Sequence, residues 1–116
     1  MFCSIVAGRV PAEVVRAWDD VIAIVPLDPV TPGHVLVIPH THVADIGEDP
    51  VVSARTMACA AELAGELEAA NVITSKGSIA TQTVFHLHVH VVPRREADAL
   101  PLPWTPRQEA KERCAA

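Results

Sequence analysis

Residues 85–94 read FHLHVHVVPR, and the folding of this stretch decides how the rest of the chain is arranged. Three of the six histidines, His86, His88 and His90, stand two residues apart with apolar residues between them. A period of two is the strand period, and Pro93 marks its end, so "VFHLHVHVVP" is expected to be one long strand over 84–93. The three imidazoles then share one face. Phe85, Leu87, Val89 and Val91 share the other, expected to lie under a helix. Core packing alone is a poor account of the trio, because three buried imidazoles need three sets of partners and resist being charged.

A metal is the next reading. Histidines at i and i+2 lie roughly 6.6 Å apart along a strand and can chelate zinc as a pair. His86 and His90 would be about 13 Å apart, too far for both to converge with His88 on one tetrahedral ion. A pair completed by distant ligands stays open. Catalysis fits the pattern better. Histidine has an unperturbed pKa near 6.5, so the neutral ring is available as a nucleophile toward phosphorus. Neighbours at i−2 and i+2 are placed to hold its tautomer and to donate to phosphate.

The chain outward from the triplet reads as follows. Two short β runs, about 13–18 and 21–26, flank Asp19-Asp20 as a hairpin. "PLDPVTPG" forces a loop over 26–33, and "HVLVIP" is a strand over 34–39. Asp49 before Pro50 is an N-cap followed by proline at the first helical position. The helix it opens is expected to run about twenty residues, through "VVSARTMACAAELAGELEAA". "NVITSK" reads as a strand and "GSIATQT" as a loop. The proline-rich tail is expected to hold a short helix after Thr105-Pro106. The order strand-strand-strand-helix-strand-strand implies an α+β domain, an antiparallel sheet with helix on one face.

Composition narrows the partners. At 116 residues, half of them hydrophobic, the chain can bury one core, built from Val, Ile, Leu and Ala because aromatics are scarce. The net charge is −5 and Arg94-Arg95 is the only basic cluster, which argues against a nucleic-acid partner. Three distant cysteines do not make a secreted disulfide framework. With no signal-like leader and no long apolar run, the expectation is a cytoplasmic protein without a membrane partner.

These motifs carry a resemblance. "HLHVHVV" (86–92) resembles the signature of the histidine triad (HIT) family, His-φ-His-φ-His-φ-φ with φ apolar. "PVTPGHVLVIPHTH" (29–42), "IVAGRVPAEVV" (5–15) and "TQTVFHLHVHVVPR" resemble other blocks of the family in the family's order. The resemblance implies a five-stranded antiparallel sheet with one long helix, pairing into a homodimer with a continuous sheet. It implies a HIT domain over 1–96 and a tail over 97–116 that contributes to substrate choice.

It also implies a hydrolase that cleaves a purine nucleotide conjugate at the α-phosphate. His88 would be the nucleophile that forms a nucleotidyl-histidine intermediate, His90 the phosphate contact, and His86 with His34 the orienting network. Gln82 and Thr83 match the polar pair that handles phosphate, Ser75 the asparagine of the penultimate strand, and Trp104 an aromatic of the C-terminal segment. A nucleoside phosphoramidate is the leading substrate. A dinucleoside polyphosphate is the close rival, and a binding module with little turnover is the rival of another class. Thr81 stands where the family usually has glycine, and Pro26 where it has a ribose-holding side chain, with Asp28 two residues on as a substitute. Some bacterial relatives hold a structural zinc. Cys3, His42 and His86 match three of its ligands, but the fourth position falls before Met1. Zinc takes four ligands in structural sites. The expectation is therefore that no metal is held and no cofactor is required.

Overall fold

The structure, a computed structural model, describes residues 2–102. Trp104 and the helix expected after Thr105-Pro106 lie outside the described residues. Five strands, β1 (Val14–Ala17), β2 (Val21–Ile24), β3 (Val35–Pro39), β4 (Ala70–Ile73) and β5 (Val89–Pro93), form one sheet in the order β1-β2-β3-β5-β4. Every neighbouring pair is antiparallel. A five-residue helix, α1 (Phe2–Val6), precedes the sheet, and a longer one, α2 (Pro50–Ala64), connects β3 to β4.

The two faces of the sheet hold different residues. Val21, Ala23, Val37, Leu87, Val89 and Val91 pack under α2 with Cys59 and Ala60. Ile22, Ile24, Leu36 and Ile38 pack on the opposite face against Phe2 of α1. Strands β2 and β3 are thus covered on both sides, which is why they read as unbroken apolar runs instead of alternating.

Helix α2 starts where the sequence predicts. The Asp49 carboxylate accepts from the amides of Val51 (3.0 Å) and Val52 (3.4 Å), and Pro50 opens the first turn. It ends sooner than expected, at Ala64 and not near residue 70. Gly65 is a weak helix former, and the next bonds, Glu66 N–H to Leu63 O and Leu67 N–H to Ala64 O, are the tighter i→i+3 kind. Leu67 still packs on the core, so its apolar spacing was a true signal of burial but not of helix length.

The strand expected over 84–93 begins only at Val89. Its partner β3 runs out first. Val37 pairs with Val89, and two residues on β3 ends in Pro39, which has no N–H for a ladder. On the other side the Thr74 hydroxyl donates to the His88 carbonyl (2.8 Å). Leu87 N–H goes to Val43 O instead (2.8 Å). Residues 84–88 are therefore an irregular approach to the strand, and Phe85 is half exposed, not under the helix as expected.

The loop before that approach contains a 3₁₀ turn, Ser78–Ala80, closed by Thr81 at φ +73°. A β-branched residue in the left-handed region is strained, which explains why glycine suits this position. Thr81→Gly is expected to raise unfolding free energy by about 1 kcal/mol, read by urea denaturation. An unchanged or lower midpoint would show that the loop relieves the strain in another way.

Candidate active site

His34, His86, His88 and His90 lie on the sheet face away from α2; backbone groups set the tautomers of His34, His86 and His88, and His34 sets that of His90. A neutral imidazole has one N–H and one lone pair, so one partner fixes both nitrogens. Val30 N–H donates to His34 Nδ1 (3.1 Å), so the His34 proton sits on Nε2. His34 Nε2 faces His90 Nδ1 at 3.0 Å and donates to it. The His90 proton is thereby placed on Nε2, as a donor. His88 Nδ1 lies 2.8 Å from the His86 carbonyl, which can only accept. The His88 lone pair is therefore on Nε2. His86 donates from Nε2 to the Pro39 carbonyl (2.9 Å), leaving its own lone pair on Nδ1. The triplet holds two donor-acceptor patterns, and only His88 has an unengaged lone pair directed away from the backbone.

Local sequence explains the positions. Gly33 has φ +88°, and a Cβ there would meet the Pro93 ring at 3.1 Å, so glycine lets the His34 loop close against the end of β5. His34 and His86 are buried. His90 stacks on His34 with centroids 5.2 Å apart, and Phe2 lies edge-on to His88 at 5.1 Å. Burial, with the neighbouring His88 and His34 rings adding to it, pushes His90 down to about 4; burial also lowers His34. His86 is lowered too, mainly by burial, with its bond to Pro39 opposing.

The remaining expected residues are scattered in role. Gln82 is buried, and its amide accepts from Gly77 N–H (2.8 Å) and donates to Ala44 O (2.8 Å) and Val84 O (3.1 Å). It pins the β4–β5 connection to the β3–α2 loop. Thr83 and Asp28 are exposed. Ser75 lines a cavity of about 390 Å³ together with His90, Asn71, Thr81 and Arg94. A second cavity, of about 850 Å³, is walled by Phe2, Ile5, Ile24, Pro26, Leu27 and Leu36, with Glu13 the one charged residue lining it. Leu36 and Ile73 flank His90 in the sheet register. One cavity opens on each side of the histidine strand, the larger over β2–β3 and the smaller over β4–β5.

Cys3, His42 and His86 converge. Cys3 Sγ is 3.1 Å from His42 Nδ1 and 3.3 Å from His86 Nδ1, and the two nitrogens are 3.2 Å apart. A tetrahedral zinc with one sulfur and two nitrogens spaces its donors by about 3.3–3.6 Å, so these residues fit such an ion with little movement. The His86 bond to Pro39 already presents Nδ1 as the ligand atom.

Sequence reading missed the partners that are not side chains of the motif: Val30 N–H, the Pro39 carbonyl and Phe2. A backbone group leaves no mark in a sequence, and a single Phe in a five-residue helix has no period to read.

An antiparallel α+β sheet that presents a backbone-oriented triplet of imidazoles between two cavities defines a histidine-triad protein. Residues 7–97 match the HIT domain, and the chain belongs to that family. An uncharacterised HIT-like protein of Mycobacterium tuberculosis is 37% identical over 109 residues, covering 86% of this chain and 74% of that one. The adenosine 5′-monophosphoramidase of Saccharomyces cerevisiae is 33% identical, over 94% of this chain and 71% of the enzyme. A zinc-bound histidine triad family protein of Mycobacterium smegmatis superposes with a TM-score of 0.76 at 34% identity, covering 99% of this chain and 96% of that one. Among the described residues no helix is long and apolar enough to cross a membrane.

The depressed His90 has a consequence for pH. Between about pH 6.5 and 4 the unfolded chain binds this proton and the folded chain does not, so stability falls as pH drops through that window. Below about 4 this group contributes no further loss. Histidine NMR titration is expected to give His90 an apparent pKa near 4; a value near 6.5 would contradict the buried relay.

Proposed function

We propose that the protein hydrolyses a purine nucleoside phosphoramidate, releasing the nucleoside monophosphate through an intermediate on His88. The observation that carries this reading is the His88 Nδ1 bond to the His86 carbonyl, which leaves Nε2 free to attack. In the first step Nε2 forms a bond to phosphorus and the phosphorus–nitrogen bond breaks. The leaving nitrogen takes the bonding pair and picks up a proton from water. The positive charge on the His88 ring is held by its Nδ1–H···O bond. In the second step water attacks phosphorus, the Nε2–P bond breaks, its electron pair returns to the ring, and the attacking water loses its proton to solvent.

His90 Nε2–H is the donor for a phosphoryl oxygen, and it keeps that proton because His34 and Val30 hold the relay in one direction. The base and ribose belong in the larger cavity, whose apolar walls suit the faces of a purine. The yeast phosphoramidase supports this substrate class by its likeness.

Against the expectation of no metal, we propose that Cys3, His42 and His86 would hold a zinc ion, with water as the fourth ligand, bracing α1 against the approach to β5; the zinc-bound mycobacterial relative supports that reading. When bound, zinc supplies cross-linking, and the reaction itself is assigned to the imidazoles.

Incubation with adenosine 5′-phosphoramidate is expected to release AMP and, on brief exposure, to show an AMP adduct by mass spectrometry. His88→Ala is expected to lose about a thousandfold or more in kcat. Undiminished release by that variant would sink the nucleophile assignment, and tight AMP binding without turnover would favour a binding module. Equilibration with zinc is expected to give close to one ion per chain by elemental analysis and a raised melting temperature, both lost in Cys3→Ala. No stoichiometric zinc would remove the brace.

A further inference from the structure

The smaller cavity carries information that the catalytic histidines do not. It lies on the β4–β5 side of His88, opposite the larger apolar cavity, so a group leaving from phosphorus enters it when the nucleoside occupies the other. Arg94 is the one cationic side chain lining it among the described residues. Four of the five N–H donors of that guanidinium are engaged, and its charge is paired. Its Nε and Nη2 donate to the two Asp98 oxygens at 2.8 and 3.0 Å, Nη2 also donates to Leu100 O at 2.7 Å, and Nη1 donates to Asn71 Oδ1 at 2.6 Å. Asp98 in turn accepts from the amides of Arg95 (3.0 Å) and Leu100 (3.1 Å).

The pair is mostly shielded from solvent, and the Arg94 guanidinium holds the Asp98 carboxyl well below the usual carboxylate range. The turn that makes the pair is tight, with Ala97 and Ala99 both at positive φ. It brings Leu100 and Pro101 onto the cavity as an apolar wall. The adjacent Arg95 is directed elsewhere, to Thr31 Oγ1 and Pro32 O on the β2–β3 loop.

We infer that Asp98 sets leaving-group selectivity: by neutralising Arg94 and closing an apolar wall beside His90, it makes the smaller cavity accept a compact uncharged group and reject a polyphosphate. A leaving polyphosphate brings several negative charges and needs unpaired cations to replace its water, and a bidentate Arg–carboxylate pair has already spent its charge. The inference rests on the phosphoramidase reading and narrows it, since both the phosphoramidate and the dinucleoside polyphosphate share the same attack by His88.

The test compares kcat/KM for an adenosine phosphoramidate carrying an uncharged amine with that for diadenosine tetraphosphate. Wild type is expected to prefer the phosphoramidate. Asp98→Asn frees the Arg94 charge and is expected to shift the ratio toward the tetraphosphate by about tenfold or more, a shift that weakens with salt. The double variant Arg94→Met, Asp98→Asn removes both charges and is expected to return the ratio to wild type. A shift that persists in the double variant would mean that loss of the wall, not charge, is responsible, and would overturn the inference; so would no shift in Asp98→Asn.

Binding reads the same charge without turnover. Calorimetry with inorganic tripolyphosphate on AMP-saturated protein is expected to show no uptake by wild type and measurable uptake by Asp98→Asn. A protein that hydrolyses neither substrate but shows this difference would refute the nucleophile assignment and keep the selectivity device; equal uptake by both would refute the device alone.

Discussion

Pro39 has no N–H, and much of the site follows from that one missing donor. β3 cannot extend its ladder past this residue, so the chain opposite it leaves the sheet at Leu87–His88. The Pro39 carbonyl is left for His86, whose ring it orients, and the displaced backbone of His86 offers its own carbonyl to His88. A regular strand over 84–93 would have tied the His86 carbonyl into a ladder and left the His88 ring without a fixed tautomer. Thr74 closes the remaining gap by bonding the His88 carbonyl. The break in the sheet is what turns a periodic pattern into three differently prepared rings.

The histidine pattern was legible because strand alternation survives even where the ladder does not: Leu87, Val89 and Val91 are buried under α2 while the imidazoles face the other way. The N-cap at Asp49 was legible because its chemistry is local. The helix end was not, since Leu67 keeps its apolar register after the backbone has tightened out of the α form. Phe85 broke the alternation because no partner strand holds it in the sheet. Gln82 was legible as a polar residue near the site, but its buried amide also donates to Ala44 O, 38 residues away, a contact that no local pattern encodes. The Arg94–Asp98 pair depends on two left-handed alanines, and alanine gives no hint of that conformation.

Both cavities are mainly apolar, and they differ in the polar groups they hold. The larger offers shape and apolar contact, with Glu13 as its single charge. The smaller sets Asn71, Ser75, His90 and the paired Arg94 among Ile73 and Val92 of the sheet and Leu100 and Pro101 beyond it. Between them stand His88, whose proton is placed by a main-chain carbonyl, and His90, whose proton is placed by His34, itself fixed by the Val30 amide. Main-chain partners cannot change rotamer, so the preparation of these rings is as rigid as the sheet that carries them.

Helix α1 has five residues, too few to be helical by its own hydrogen bonds. Yet Phe2 from this helix both walls the larger cavity and meets the edge of His88, and Cys3 reaches the His42–His86 pair. The order of this short segment is therefore borrowed from the sheet it covers. Lifting it away would open the cavity wall and uncover His88 together. Apparent affinity for a ligand of that cavity is then the intrinsic affinity multiplied by the fraction of time the helix is seated, so any ion that holds the helix down tightens binding at a cavity it never touches.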